Sequence, residues 1–195
     1  MRVVVSEFMS LDGVVQAPGG PQEDTSGGFR HGGWSLPYFD PQVMGPVIGA
    51  IAERGDALLQ GRITYQVSAA AWPERRGDTF ADWINATQKY VVSDTLRDAD
   101  LSWGPTSIVR VADLIEKVTA LREAAGGDVY VYGSLTLVRA LLSAGLVDEL
   151  LLMIEPITLG GGKTLFAHDG VARRFTLVSC ETSRTGVQVC RYQPT

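Results

Sequence analysis

Residues 128–142 read DVYVYGSLTLVRALL, and this stretch predicts a strand that runs through a short turn directly into a helix. The first five residues are rich in Val and Tyr, which favours a strand. The apolar residues beyond the turn recur at helical spacing: Leu135, Val138, Leu141 and Leu142. A strand followed at once by a helix is the repeating unit of α/β folds.

The same alternation extends along the rest of the chain. Further strands are predicted at residues 2–9, 57–60, 89–93, 148–155, 174–181 and 187–192. Helices are predicted after Asp40, where Pro41 takes the first helical position, after Gly61, and over residues 111–121. The last two strands flank residues 184–186 and predict a hairpin. We therefore expect one three-layer α/β/α domain over residues 1–195, with a central mixed sheet that ends in an antiparallel hairpin.

Composition limits the class of protein. The chain has 195 residues, 45% of them hydrophobic and 20% charged, and two cysteines, which is typical of one globular domain without disulfide staples. Its net charge of −5 disfavours binding to nucleic acid or to an anionic membrane. Glu7 interrupts the apolar N-terminus before it reaches the length of a signal peptide. The expected location is the cytoplasm.

Glycine is the compositional outlier. The 22 glycines are about 11% of the chain, against a usual share of roughly 7%. Seven of them lie in residues 12–36, a connection without predicted secondary structure. Such a long loop predicts a binding loop or lid, the alternative being a surface insertion. Trp34 and His31 within the loop favour a functional role.

Several familiar motifs are absent. The sequence contains no G-x-G-x-x-G and no G-x-S-x-G, and Gly162-Lys163-Thr164 lacks the upstream glycine of a phosphate loop, since Ile157 stands there. The two histidines lie far apart and no cysteines pair at ligand spacing, so no zinc ligand set is predicted. Cys180 and Cys190 are symmetric about Thr185, which places them opposite each other in a simple hairpin. We expect a reduced pair, with a disulfide as the alternative.

Two strand-to-helix turns have the residues expected of a phosphate site. These turns are Gly133-Ser134-Leu135-Thr136 and Gly61-Arg62-Ile63-Thr64. The start of a helix presents unpaired amides and a positive dipole end, and small residues let a phosphate approach them. Two such turns suggest a dinucleotide. The alternative is that both glycines only permit close packing.

A set of short motifs then resembles a known family. The motifs are Met9-Ser10-Leu11-Asp12-Gly13, His31-Gly32-Gly33-Trp34, Gly61-Arg62-Ile63-Thr64-Tyr65, Tyr90-Val91-Val92-Ser93, Gly133-Ser134, Leu146-Val147-Asp148-Glu149-Leu150 and Leu159-Gly160-Gly161-Gly162-Lys163. In this order, over residues 2–192, they resemble the dihydrofolate-reductase-like proteins. The most similar branch is the reductase domain of the bacterial bifunctional riboflavin-biosynthesis deaminase-reductase.

The resemblance implies an oxidoreductase that uses NADPH. The implied activity is that of a 5-amino-6-(5-phosphoribosylamino)uracil reductase of riboflavin biosynthesis, with hydride passing to a pyrimidine- or pterin-like ring or to a ribose-derived carbon. A dihydrofolate reductase and a non-catalytic nucleotide-binding or dimerisation module are the alternatives. A small-molecule substrate, a cytoplasmic location and a homodimer are also implied.

The resemblance also assigns site residues. Arg62 matches the arginine that faces the 2′-phosphate, and Thr64 matches the threonine beside the pyrophosphate. Gly61 opens the same cofactor-facing turn. Ser93 matches a serine near the adenosine ribose and phosphate. The turn residues Gly133, Ser134, Leu135 and Thr136 match the segment under the pyrophosphate and nicotinamide. Gly161, within the run of glycines at residues 160–162, is expected in a tight turn beside the cofactor.

The catalytic acid of dihydrofolate reductase has no direct counterpart. Trp34-Ser35-Leu36-Pro37 resembles that family's W-x-L-P segment, but Phe39 stands at the acidic position and Asp40 follows one residue later. One residue turns a helical side chain by about 100°, so Asp40 is better explained as a helix N-cap, although it stays a candidate acid. Trp34 is expected to close over the site as part of the lid. Water is the expected proton donor, with Asp40, Glu7 and His31 as weaker candidates.

Overall fold

The computed structural model describes residues 1–195 and divides the chain into two compact units. Unit 1 contains residues 1–4 and 47–147, and unit 2 contains residues 5–46 and 148–195. The strands are β1 Arg2–Ser10, β2 Gly55–Gly61, β3 Gln88–Val92, β4 Thr106–Val109, β5 Asp128–Tyr132, β6 Glu149–Glu155, β7 Phe175–Thr182 and β8 Gln188–Pro194. The helices are α1 Met44–Arg54, α2 Arg62–Ala71, α3 Thr79–Ala86, α4 Leu114–Glu123 and α5 Leu135–Ser143.

The strands form one mixed sheet. Their order is β4-β3-β2-β5-β1-β6-β8-β7. The predicted α/β fold with a mixed sheet and a final hairpin is therefore confirmed. The expectation of one domain over residues 1–195 stays a prediction. None of the helices has the length and apolar composition needed to cross a membrane.

Unit 1 contains the parallel part of the sheet. Strand β2 pairs in parallel with β3 and with β5, and β3 pairs in parallel with β4. The side chains of Leu58, Leu59, Val129 and Val131 are completely buried. Continuous apolar burial is what a parallel strand with covered faces requires. Strands β2 and β5 each lead directly into a helix, α2 and α5, so their turns lie at the carboxyl ends of neighbouring strands.

Two short elements of unit 1, α3 and β4, have no counterpart among the predicted strands and helices. Asp78 is the N-cap of helix α3, because its side chain accepts a hydrogen bond from the Ala81 amide. Phe80 and Trp83 of α3 pack edge-on or tilted against neighbouring aromatic rings. Strand β4 has only four residues, too few for a periodic pattern. Short elements such as these are stabilised by packing, which the sequence pattern does not display.

Unit 2 contains the antiparallel part. Strand β8 pairs with both β6 and β7, and the register places Cys180 opposite Cys190 as the symmetry about Thr185 predicts. The loop over residues 12–36 is more ordered than expected, since it contains an isolated bridge between Val14 and Thr164 and a short 3-10 turn at Ser26–Gly28. Helix α1 begins at Met44 rather than directly after Asp40. A hydrogen-bonded turn precedes it, in which the Met44 amide donates to the Asp40 carbonyl over 2.8 Å.

Candidate functional site

The two predicted phosphate turns of unit 1 are joined by one side chain. The Ser134 hydroxyl accepts a 2.7 Å hydrogen bond from the Gly61 amide and donates a 2.8 Å hydrogen bond to the Thr64 hydroxyl. Ser134 precedes α5, whereas Gly61 and Thr64 belong to the turn into α2. The structure therefore brings together two turns that lie about 70 residues apart in the chain.

The backbone of the second turn needs glycine at Gly133. Its φ is +56°, and a Cβ atom there would lie 3.2 Å from the Thr64 hydroxyl oxygen. Ser134 also has a left-handed backbone, with φ +58°. That conformation costs a residue with a side chain about 1–2 kcal/mol. The two hydrogen bonds of the Ser134 hydroxyl offset this cost by holding the turn in place.

Both helices start with unsatisfied amides. Neither α2 nor α5 has a side-chain hydrogen bond at its N-cap. The first intrahelical bond of α5 runs from the Val138 amide to the Ser134 carbonyl, so the amides of Leu135, Thr136 and Leu137 have no partner within the helix. Gly133, Ser134 and Leu135 are half-buried and Thr136 is exposed. An anion that reached this turn would meet free amides and the positive end of a helix dipole.

Arg62 supplies the positive charge at the first turn. It is the first residue of α2, it is exposed, and its guanidinium donates a 3.1 Å hydrogen bond to the neutral Gln66 side chain. The remaining donors of the planar fork suit a phosphomonoester. The structure thus places Gly61, Arg62, Thr64, Gly133, Ser134, Leu135 and Thr136 around two adjoining turns.

Ser93 has a local role in the loop after β3. Its buried hydroxyl accepts hydrogen bonds from the amides of Thr95 and Leu96, at 3.1 and 3.0 Å. Its carbonyl accepts a 2.9 Å hydrogen bond from Arg110. These bonds fix the loop at the carboxyl end of β3. The implied contact between Ser93 and adenosine stays a prediction.

In unit 2, the Asp40 carboxylate accepts hydrogen bonds from two backbone amides. It accepts a 3.0 Å hydrogen bond from the Gln42 amide and a 3.1 Å hydrogen bond from the Arg184 amide. The hydrogen bond from Gln42 and those from Arg184 hold the pKa of this carboxyl below its usual value. A carboxylate that is ionised and accepts two hydrogen bonds is a poor proton donor. Asp40 therefore caps the turn that precedes α1, and its role as a catalytic acid stays a prediction.

A second acid of unit 2, Glu155, has the opposite properties. Glu155 ends β6 and is completely buried. One oxygen accepts a 2.6 Å hydrogen bond from the Ser35 hydroxyl, while the other, Oε2, is buried with no hydrogen-bond partner. Burial raises the pKa of Glu155 to about 7, against the lowering effect of Ser35. Glu155 can therefore take up or release a proton near neutral pH.

The glycine-rich loop is attached to the segment that follows β6. Asp12 accepts hydrogen bonds from the amides of Leu159 and Gly160, the shortest of them 2.8 Å. Lys163 forms a 2.6 Å ion pair with Asp24, and its amide donates to the Gln16 side chain. These contacts hold the loop against residues 159–163.

Trp34 is an internal part of this loop. It is only 6% exposed, and its indole N–H donates a 2.8 Å hydrogen bond to the Gln16 carbonyl. It therefore stabilises the loop in the present conformation. Closure of Trp34 over a substrate stays a prediction.

Gly161 lines an open cavity of unit 2. The cavity has a volume of about 500 Å³, and its walls include Gln16, His31, Gly161 and Lys163. Gly161 therefore lies beside the loop, as its neighbours in the sequence do. Its contact with a cofactor stays a prediction.

Two features of these sites were not inferred from the sequence. Glu155 is visible in the sequence as the acid that ends the apolar run LLLMIE at residues 150–155. Its hydrogen-bond partner Ser35 is not, because it lies 120 positions away. The sequence contains no signal for the Ser134 bridge, because a serine in such a turn is ordinarily a helix N-cap. No cluster of three or more His, Cys, Asp or Glu residues lies close enough to hold a metal ion.

Comparison with known proteins places these features in a family context. The family model described as the RibD C-terminal domain matches residues 1–189. The uncharacterised protein YyaP of Bacillus subtilis strain 168 is 26% identical over 192 residues, which are 95% of this chain and 91% of YyaP.

Solved structures share the fold. A protein from Shewanella sp. PV-4 whose name links it to riboflavin biosynthesis has a TM-score of 0.74 at 22% identity, covering 100% of this chain and 99% of its own. A deaminase/5-amino-6-(5-phosphoribosylamino)uracil reductase from Thermotoga maritima has a TM-score of 0.62 at 13% identity. The match covers 100% of this chain and 56% of the Thermotoga chain. Dihydrofolate reductase from Enterococcus faecalis, complexed with NADP(H), has a TM-score of 0.57 at 15% identity. The match covers 100% of this chain and 96% of the reductase. The predicted dihydrofolate-reductase-like fold is confirmed.

Proposed function

The chain belongs to the RibD C-terminal domain family, and on that premise we propose that it is an NADPH-dependent reductase. The proposed substrate resembles 5-amino-6-(5-phosphoribosylamino)uracil, the substrate class in the name of the Thermotoga maritima neighbour. The observation that carries the proposal is the Ser134 bridge, which joins two helix starts with free amides into one continuous surface.

The residues of this surface fit a dinucleotide. A Cβ at Gly133 would lie 3.2 Å from the Thr64 hydroxyl oxygen, and one at Gly61 would lie 3.3 Å from the Ser134 hydroxyl oxygen, so the two glycines let the turns pack closely against each other. This packing brings the free amides at the start of α5 next to the turn that carries Arg62. Those amides would bind a pyrophosphate. Arg62 would bind a 2′-phosphate through charge-assisted hydrogen bonds.

The chemistry is divided between cofactor and protein. NADPH, when bound, supplies the hydride. The turns at Gly61 and Gly133 would bind and orient its phosphates. The loop over residues 12–36 is held against residues 159–163 by Asp12 and Lys163 and would orient the substrate. Water is the proposed proton source, because Asp40 is held in its ionised form. The small-molecule substrate, the homodimer and the cytoplasmic location are parts of the same proposal.

One observation favours a second candidate function. Asp40, the acid nearest to the position of the catalytic carboxyl of dihydrofolate reductase, accepts hydrogen bonds from the amides of Gln42 and Arg184. A chain that binds the dinucleotide but lacks a working proton donor would be a nucleotide-binding module. Binding and turnover must therefore be measured separately.

The test combines a titration with an assay. We expect NADPH to bind, followed by fluorescence, and to be oxidised in the presence of 5-amino-6-(5-phosphoribosylamino)uracil, followed by absorbance, with dihydrofolate as the comparison substrate. Arg62→Ala should weaken NADPH roughly 10- to 100-fold and NADH little, since it removes a charge-assisted hydrogen bond. Arg76→Ala, which removes an equal charge from an exposed position of unit 1, is the matched control.

Each outcome decides between the candidates. Binding with turnover supports the reductase, and binding without turnover on either substrate supports the module. Failure of NADPH to bind contradicts both. Equal losses of NADPH and NADH affinity in Arg62→Ala contradict the assignment of Arg62 to the 2′-phosphate.

A further inference from the structure

The two cysteines of the chain face each other across the terminal hairpin. Cys180 on β7 and Cys190 on β8 are direct partners in the antiparallel register. Their sulfur atoms lie 3.1 Å apart, and both thiols are free. No other cysteine is present in the sequence. The two thiols are therefore paired by the fold itself.

The position in the ladder suits a bond between them. The Ser183 amide donates to the Val187 carbonyl over 2.8 Å, which makes the pair at 183 and 187 a hydrogen-bonded one. Hydrogen-bonded and non-hydrogen-bonded pairs alternate along an antiparallel ladder, so Cys180 and Cys190 form a non-hydrogen-bonded pair, where Cα atoms are about 4.5 Å apart. Disulfides span Cα separations of roughly 4.4–6.8 Å. A disulfide can thus form without displacing either strand.

The two thiols differ in access to solvent. Cys180 is exposed, and β7 is the last strand of the sheet order, so one of its edges has no neighbouring strand. Cys190 is only 2% exposed, because β8 lies between β6 and β7. Burial, and then the neighbouring Cys180, raise the pKa of the Cys190 thiol to about 11. An oxidant in solution therefore meets Cys180 first, with Cys190 in place behind it as a protected thiol.

We propose that Cys180 and Cys190 form a reversible dithiol–disulfide site that exchanges with low-molecular-weight disulfides. In the first step the Cys180 thiolate attacks one sulfur of the small disulfide, whose S–S bond breaks and releases one small thiol. In the second step Cys190 loses its proton and attacks the Cys180 sulfur, and the mixed disulfide breaks to release the second small thiol. Two protein thiols are oxidised, and one small disulfide is reduced to two thiols.

The hairpin connects this site to the rest of unit 2. Its tip carries Arg184, whose amide binds the Asp40 carboxylate, and Thr185, whose hydroxyl donates a 2.6 Å hydrogen bond to the Tyr38 carbonyl. The oxidised hairpin has one fixed register. We therefore expect oxidation to raise the thermal midpoint of unfolding and to slow amide exchange at the hairpin tip.

The experiment treats the native 195-residue chain with mixtures of oxidised and reduced glutathione. We expect the loss of both titratable thiols in Ellman's assay and a decrease in intact mass equal to two hydrogen atoms, both restored by dithiothreitol. Cys190→Ser should accumulate a mixed disulfide with glutathione at Cys180. Cys180→Ser should stay unmodified in the native state, since its remaining thiol is buried.

Three results would overturn the proposal. The first is a wild-type chain that stops at the mixed disulfide. The second is a disulfide between two chains on a non-reducing gel. The third is retention of both thiols under conditions that modify Cys190→Ser. Because Cys180 and Cys190 lie outside the proposed cofactor turns, none of these results depends on NADPH binding.

Discussion

Ser134 donates a 2.8 Å hydrogen bond to Thr64 while it accepts one from the Gly61 amide, so one hydroxyl fixes the distance between the starts of α5 and α2. The serine does this with a left-handed backbone, φ +58°, that serine seldom adopts. A residue held against its backbone preference at a turn with free amides is typical of a functional site. Ser134 is therefore the first position at which a substitution is informative.

We expect Ser134→Ala to loosen both turns at once. The variant keeps the unfavourable backbone and loses two hydrogen bonds, so the free energy of unfolding should fall by about 1–3 kcal/mol. The same variant should weaken NADPH binding by roughly 5- to 10-fold, because binding must then order turns that the hydroxyl no longer holds, at a cost of about 1 kcal/mol. Urea denaturation and fluorescence titration measure the two effects.

Two further variants separate strain from hydrogen bonding. Ser134→Gly loses the same bonds but relieves the backbone cost, so it should be more stable than Ser134→Ala. Thr64→Val combined with Ser134→Ala should show a coupling energy of about 1 kcal/mol in a double-mutant cycle. Thr119→Val on α4, whose hydroxyl donates to the Ile115 carbonyl, is the matched control and should leave NADPH affinity unchanged. If the Thr64 and Ser134 changes had additive effects on the free energy of unfolding, their contact would contribute nothing to stability.

The Gly133 position gives a second prediction. Gly133→Ala places a Cβ 3.2 Å from the Thr64 hydroxyl at φ +56°. We expect NADPH affinity to fall by more than roughly tenfold, because the new atom pushes against Thr64 and displaces the amides at the start of α5 that would bind a phosphate. The fold should survive, with a loss of stability of about 1–2 kcal/mol from the left-handed backbone.

A glycine at the other end of the same helix supplies the control. Gly145 follows α5 and has φ +66°, and a Cβ atom added to it would meet no other atom within 4 Å. Gly145→Ala should therefore lose a similar amount of stability, measured by thermal unfolding, and bind NADPH like the wild type. If both variants bound NADPH equally well, the turn at Gly133 would serve packing alone.

The sequence predicted local features well and distant contacts poorly. The turns at Gly61 and Gly133 were predictable because a strand, a glycine and an apolar helix follow one another within 15 residues. The opposition of Cys180 and Cys190 followed from the symmetry of a short hairpin. The Ser134 bridge joins residues 70 positions apart, and no local pattern encodes it. Glu155 stands at the end of an apolar run, but its hydrogen bond with Ser35 spans 120 positions and is not encoded in that run. The sequence leaves two roles open for Asp40 because its partner Arg184 is 144 positions away.

Glu155 makes a prediction about pH. Its pKa in the folded chain is about 7, raised by burial from a usual value of 4.5. The folded state therefore binds a proton more readily than the unfolded state between these two pH values. The free energy of unfolding should fall as the pH rises from 4.5 to 7, by up to about 3 kcal/mol, since one pKa unit corresponds to about 1.4 kcal/mol. Above pH 7 this contribution is fully lost, and below pH 4.5 it is fully present.

Glu155→Gln isolates this effect, because glutamine resembles the protonated acid and carries no charge at any pH. The stability of wild type minus that of the variant should decrease from pH 4 to pH 8, measured by urea denaturation at each pH. Subtracting the two curves removes the contributions of other titrating groups, among them Glu23, whose pKa is also raised by burial. Ser35→Ala should move the midpoint of the decrease to higher pH, since the Ser35 hydroxyl stabilises the ionised form. Glu181→Gln, at an exposed position of β7, is the control for the loss of one surface carboxylate. A difference for Glu155→Gln that does not change with pH would mean that this carboxyl is solvated in solution and that its pKa is ordinary.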